Sequence, residues 1–304
     1  MSVLSARTAS ALGGVAMVLA AMACFATLDT TTKVATATVP LLMALWFRYC
    51  FQAVVTAGVM LPQRGWGMWR TRRPGLQLLR GLLLLGSSGM AFVGLMHMPV
   101  AEFTAIVSLS PLAITLVAAT VLGERVSLVR WLLVVGGFAG AMVIIRPGHE
   151  QFSPYLLLPL AVLACNTCFQ LLTRSMVKTE DPLTMHLYTG WVGTLISSLA
   201  LPWVWQVLSP LEWGYLVLMG LTAAVGHFLL ILAYGRTPVA TLGPYMYTQI
   251  GFAVLGGWWV FAHTPDAWAL VGMCVIAACG AAGAWLTLRE HRFRLAAPVY
   301  PAKH

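Results

Sequence analysis

The sequence predicts an all-α integral membrane protein of ten transmembrane helices, arranged as two five-helix repeats of inverted topology. Composition is the first observation. Sixty per cent of the 304 residues are hydrophobic and 9% are charged, with no polar block long enough for a soluble domain. The second is an internal repeat. Ala20, Ala23, Cys24, Thr32 and Lys33 recur at an offset of 141 as Ala161, Ala164, Cys165, Thr173 and Arg174. Pro40-Leu41-x-Met43-x-Leu45 returns as Pro182-Leu183-x-Met185-x-Leu187, and Pro99-Val100-Ala101 as Pro238-Val239-Ala240. Three matches in order at nearly constant offset indicate a duplication. Parity is the third: an odd number of spans per copy turns the second copy upside down in the membrane.

Runs of about 20 apolar residues, the length that crosses roughly 30 Å of hydrocarbon, lie at 11–33, 41–62, 75–97, 100–122 and 127–146 in the first copy. In the second they lie at 155–175, 183–206, 211–233, 239–262 and 266–288. They read as helices, because lipid offers the backbone no partners and a barrel would alternate polar and apolar residues. The units are therefore residues 1–148, residues 149–290 and a basic cytoplasmic tail, 291–304.

Charge orients the spans. With the N-terminus inside, Arg7, Arg64, Arg70, Arg72, Arg73, Arg125, Arg130, Arg174, Lys178, Arg236, Arg289, Arg292, Arg294 and Lys303 are cytoplasmic. Only Lys33 and Arg146 lie at outer ends, while Arg48 and Arg80 lie within spans. This asymmetry predicts cytoplasmic N- and C-termini, and it makes the net charge of +9 a topology signal, with no nucleic-acid partner expected. A cleaved signal peptide at 7–24 is rejected, because the apolar run continues past Cys24 and Ala-x-x-Ala-Cys recurs mid-chain. The six cysteines fall inside spans and read as packing residues, Cys165-x-x-Cys168 included. Gly136, Gly140, Gly272, Gly280 and Gly283 permit close helix approach within the bundle, so a monomer is expected.

The ten-span plan, the cation closing the first helix of each copy, and Val107-Ser108-Leu109-Ser110-Pro111 followed by Gly123-Glu124-Arg125 resemble the drug/metabolite transporter superfamily, EamA type. Within it the chain most resembles the YddG-type amino-acid exporters. In the second copy Ile250 and His263 stand where Pro111 and Glu124 stand in the first, so the halves are not equivalent. The resemblance implies a basket of helices whose cavity is lined by helices 1, 3, 4, 6, 8 and 9, with helices 5 and 10 at the back. It also implies export of aromatic and other neutral amino acids across the bacterial inner membrane by alternating access. Exporters of drugs or other small metabolites, and a channel or scramblase, are the alternatives.

Membrane cost selects candidate residues. A charge kept at mid-bilayer costs roughly 2.5–3.5 kcal/mol on insertion scales, which singles out Asp29, Lys33, Arg48 and Glu102. Asp29 and Lys33, four apart, are expected to pair, leaving Glu102 for Arg48; Arg48 and Lys33 are placed away from the cavity. Ser88, Phe92, Phe103, Asn166, Gln170, His227, Tyr245 and Gln249 are the candidate substrate-binding residues, with Ser87, His186 and Tyr247 as further lining candidates. Transport is therefore expected to need no carboxylate in the central cavity. Pro99, Pro111, Pro238 and Pro244 bracket or interrupt helices 4 and 9, making these the hinge candidates. No metal-protease, Walker or nucleophile motif is present, so neither enzyme activity, cofactor nor metal is expected. The expected partners are a small-molecule amino acid and membrane lipids.

Overall fold

A computed structural model describes residues 3–121, 127–147, 153–237 and 239–296. Among them, all regular structure is helical. The first half contains α1 (Val3–Ala35), α2 (Leu41–Arg64), α3 (Pro74–His97), α4 (Val100–Val107), α5 (Ser110–Thr120) and α6 (Leu128–Ile145). The second contains α7 (Leu158–Met176), α8 (Pro182–Ser198), α9 (Leu201–Val204), α10 (Pro210–Arg236), α11 (Val239–Met246), α12 (Thr248–Phe261) and α13 (Ala267–Ala296). Gly123, Glu124, Arg125, Gly148 and Pro238 lie outside the described residues.

Helix starts are set by proline and side-chain caps. At α10, Ser209 accepts from the Glu212 amide at 3.3 Å while the Ser209 amide donates to the Glu212 carboxylate at 2.7 Å, a reciprocal cap with Pro210 just inside the helix. At α8, Asp181 accepts from the Thr184 amide at 2.9 Å ahead of the same proline placement. Among the described residues, eight stretches of helix are long and apolar enough to cross a membrane. Two of the ten expected spans are outside that set: 183–206, whose helix α8 is only 17 residues long, and 239–262. Residues 183–206 form α8, a break and the single turn α9, and 239–262 is split into α11 and α12.

The run at 100–122 is split as well. α4 ends at Val107 and α5 begins at Ser110; in the second half α11 ends at Met246 and α12 begins at Thr248. Val107 and Met246 are 139 residues apart, the offset of the Pro-Val-Ala repeat, so the two breaks fall at matching positions. Pro111 sits in the first turn of α5 and Pro244 inside α11, where each removes a backbone donor. Pro99 only precedes α4 as its N-cap residue.

Helices pack across the two halves: α1 on α10 and α12, α2 on α8 and α10, α3 on α7 and α8, α4 on α7 and α12, and α6 on α13. The last pair is drawn together by glycine. A Cβ on Gly272 would stand 2.6 Å from the Gly140 carbonyl oxygen, closer than any side chain tolerates. Large apolar residues cover the outside, Trp259 and Leu128 among them, whereas Arg48, Gln52, Gln77 and Arg80 are buried. That inversion suits a surface facing lipid and a polar interior.

Hydrogen bonds sort the loops into two ends. At one, Lys33 donates to the Leu95 and Met98 carbonyls (2.6 and 2.8 Å), Gln206 to the Thr38 carbonyl (2.9 Å), and Arg146 pairs with Asp266. At the other, Arg64 pairs with Asp181 (2.8 Å), Thr71 donates to Glu180 (2.8 Å), and Tyr188 to the Trp69 carbonyl (2.9 Å). The hydrogen bond from Arg146 holds the Asp266 carboxyl below the usual carboxylate range.

Candidate functional site: a charged, aromatic-walled cavity

Helices α1, α2, α3, α7 and α10 and the two broken ones line a cavity with about 120 Å³ open to water-sized occupants. Its wall is built turn by turn. α1 contributes Phe25 and Asp29; α3 contributes Ser87, Ser88 and Phe92; α4 and the break after it contribute Phe103 and Ser108. α7 adds Asn166 and Gln170, four apart and so on one face, and α10 and α12 add His227 and Gln249. Arg48 reaches in from α2.

Seven of the eight candidate substrate-binding residues thus meet at one place: Ser88, Phe92, Phe103, Asn166, Gln170, His227 and Gln249. Tyr245 does not join them. It follows Pro244 on α11 and is 37% exposed. His186 also lies elsewhere, buried between α8 and α2, where the Gln52 amide donates to its carbonyl at 3.0 Å. Tyr247 packs into the core at the α11–α12 break.

The charged residues are arranged differently from the expected pairs. Lys33 meets no carboxylate at ion-pair distance among the described residues; its amine donates to two main-chain carbonyls and lies 5.9 Å from the centre of the Phe261 ring. Glu102 pairs with His263 at 3.0 Å, not with Arg48. Arg48 donates to the Ser88 hydroxyl and, at 3.3 Å, to Tyr49, and its guanidinium lies 4.8 Å from the Tyr49 ring centre. The reason is geometric. Asp29 and Lys33 share a helical face, but the lysine stem reaches the C-terminal end of α3 while the shorter carboxylate stays at cavity depth.

Two expected placements therefore fail, those of Asp29 and Arg48 away from the cavity. The cavity does contain a carboxylate, and it does contain a buried cation. Asp29 Oδ2 accepts from Thr104 at 3.0 Å and from Gln249 at 3.3 Å, so one oxygen is held by both broken helices. Oδ1 takes no hydrogen bond from the described residues.

Arg80 is a further buried charge within a span, beyond the four that membrane cost singles out. Its side chain on α3 is fully buried, donating to the Met185 carbonyl and, at 2.7 Å, to Thr189, with the Phe169 ring centre 5.3 Å away. It braces α3 against α7 and α8 below the cavity.

Comparison with known proteins agrees with this architecture. Residues 12–146 match the EamA-like transporter family. A riboflavin transporter of Rhizobium johnstonii is 30% identical over 87% of this chain and 88% of its own. An S-adenosylmethionine uptake transporter of Rickettsia conorii is 26% identical over 76% of this chain and 78% of its own. The pseudopaline exporter CntI of Pseudomonas aeruginosa is 27% identical over 88% and 94%. A solved crystal structure, 20% identical, shares the fold with a TM-score of 0.65 over 93% of this chain and 99% of its own. None of these three relatives is named for aromatic amino acids, so the resemblance holds at the level of the family and not of the amino-acid exporters within it. This multi-pass membrane protein belongs to the EamA-like transporter family of the drug/metabolite transporter superfamily.

Proposed function

We propose that the chain is a secondary carrier that exports amino acids, aromatic and other neutral ones among them, across the bacterial inner membrane. The observation that carries this reading is the presence of Asp29 and Arg48 on the wall of one cavity whose remaining lining is mostly apolar, phenylalanines and aliphatic side chains, with amides, hydroxyls and His227 among them. An α-amino acid needs an acceptor for its ammonium, a donor fork for its carboxylate and an apolar slot for its side chain.

Alternating access between two inverted repeats, residues 1–148 and 149–290, is the mechanism we attach to it. The packing supports that reading. Exchanging each first-half helix for its counterpart (α1 with α7, α2 with α8, α3 with α10, α4 and α5 with α11 and α12, α6 with α13) turns α1 on α10 into α7 on α3. It likewise turns α2 on α10 into α8 on α3, and both members of each pair are in contact. The breaks in α4/α5 and α11/α12 then give each repeat one helix able to bend beside the substrate.

Counterflow in proteoliposomes is the test. Vesicles preloaded with unlabelled L-phenylalanine should accumulate labelled L-phenylalanine, and Arg48→Gln should abolish the accumulation in protein that still melts cooperatively. Exchange of riboflavin or S-adenosylmethionine with no response to any amino acid would overturn the substrate reading while keeping a carrier. Flux without counterflow would favour a channel.

A further inference from the structure

His227 presents an unusual chemistry to the cavity. Its Nδ1 lies 2.9 Å from the Ala223 carbonyl oxygen one turn back on α10. A carbonyl can only accept, so the proton sits on Nδ1, and in the neutral ring Nε2 is left as a bare acceptor. The ring cannot flip without losing that bond. It is also gripped by two aromatic edges, Phe25 at 4.7 Å and 70° and Phe169 at 6.1 Å and 74°. Nε2 has no partner among the described residues and is not among the sealed, unpartnered atoms of the interior, while the residue lines the cavity. The free lone pair therefore opens on the space where a substrate would lie.

The neighbouring polar groups do not share this property. Ser88, Asn166, Gln170 and Gln249 are hydroxyls and amides that donate as well as accept, and Arg48 only donates. Asp29 accepts, but as a charge. His227 is the neutral, fixed acceptor, set beside Phe25 on the cavity wall.

We propose that His227 is a specificity-determining residue whose Nε2 accepts a hydrogen bond from an N–H or O–H on the substrate's apolar ring. The inference rests on the amino-acid reading above and narrows it: rings that carry a donor are preferred over the same rings without one. A substrate lacking the donor leaves Nε2 desolvated and unpaired, the situation in which polar sites discriminate most strongly.

The test compares L-tryptophan with 1-methyl-L-tryptophan, and L-tyrosine with O-methyl-L-tyrosine, in proteoliposome counterflow. Wild-type protein should favour the donor-bearing member of each pair on the order of tenfold in kcat/KM. His227→Phe, which keeps the ring and removes the acceptor, should bring both ratios close to one, mainly through the unmethylated substrates. His227→Gln, with an amide oxygen near the same place, should restore part of the preference. A wild-type ratio near one, or a preference that survives in His227→Phe, overturns the proposal. If no amino acid is exchanged, the amino-acid reading fails, and the role of His227 is decided separately. Indole and 1-methylindole are then titrated onto purified protein while the ¹⁵N resonances of His227 are followed. A shift of Nε2 with indole and none with 1-methylindole supports the fixed acceptor; equal responses, or a resting Nε2–H tautomer, sink it.

Discussion

Glu102 and His263 meet at 3.0 Å and tie the first turn of α4 to the residue just beyond the end of α12. The two broken helices are thus joined by a side-chain pair at the end of the molecule that holds Asp266. The contact also explains the missing bond between Glu102 and Arg48, since α4 turns its first carboxylate toward α12 and away from α2. Coupling should follow the contact. A double-mutant cycle on thermal stability in detergent, using Glu102→Gln and His263→Gln, should return an interaction energy of about 0.5–3 kcal/mol. The same cycle between Glu102→Gln and Arg48→Gln should return about zero within the ~0.5 kcal/mol scatter of additive pairs. A larger coupling to position 48 than to position 263 would contradict the arrangement.

Asp29 is held by Thr104 of α4 and Gln249 of α12 through one oxygen. Asparagine keeps an oxygen for both donors and loses only the charge. Asp29→Asn should therefore fold close to wild type, within about 1 kcal/mol, yet lose most amino-acid counterflow because a substrate ammonium would meet an amide. Stability and exchange are measured on the same preparation. Full exchange by Asp29→Asn would return the carboxylate to a purely structural role.

Arg80 is expected to carry a stability role. Its guanidinium reaches a carbonyl and two threonine hydroxyls at once, the nearest hydroxyl being Thr189 at 2.7 Å. A lysine ammonium cannot span that fork. Arg80→Lys should melt clearly below wild type, by an amount equivalent to about 1–3 kcal/mol. Arg80→Met removes the charge together with its need for partners and should cost no more than the lysine change. A lysine variant as stable as wild type would show that the fork is not what holds α3 to α8.

The all-helical character and the positions of many helix starts were legible because each depends on local signals: apolar runs, prolines at helix starts, and capping residues such as Ser209 and Asp181. The breaks in α4/α5 and α11/α12 were half legible. Proline marked the right helices, but the breaks fall at Ser108–Leu109 and Tyr247, between or beside the prolines. Much of the cavity wall was readable too, since Asn166 and Gln170, four apart, offer polar groups to one face, although Gln170 also accepts from Tyr234 at 2.9 Å. Partner choice was not readable. Whether a lysine reaches down its own helix to Asp29 or across to the Met98 carbonyl depends on how α1 meets α3, a relation absent from spacing along one helix. Arg80 escapes the membrane-cost argument for a related reason. It lies near the start of the 75–97 run, where a long side chain can reach the interface, and only the packing of α3 on α7 and α8 turns it inward.

Sidedness follows from two independent patterns that agree. The loops joined by Gln206 to Thr38, Arg146 to Asp266 and Glu102 to His263 form one end. The loops joined by Arg64 to Asp181 and Thr71 to Glu180 form the other. Along the chain these loops alternate, as they must if every span crosses once. The second end gathers Arg64, Arg70, Arg72, Arg73, Arg174, Lys178 and Arg236, while the first has only Lys33 and Arg146. Basic residues remain cytoplasmic, so the end holding Asp266 should face outward and both termini inward. In a background without the native cysteines, Thr264→Cys should react with a membrane-impermeant maleimide added to intact cells, whereas Lys178→Cys should react only after permeabilisation. Both side chains are exposed, so failure to react would report sidedness and not burial. Labelling of Lys178→Cys in intact cells, with Thr264→Cys protected, would invert the protein in the membrane and make the charge asymmetry misleading for this chain.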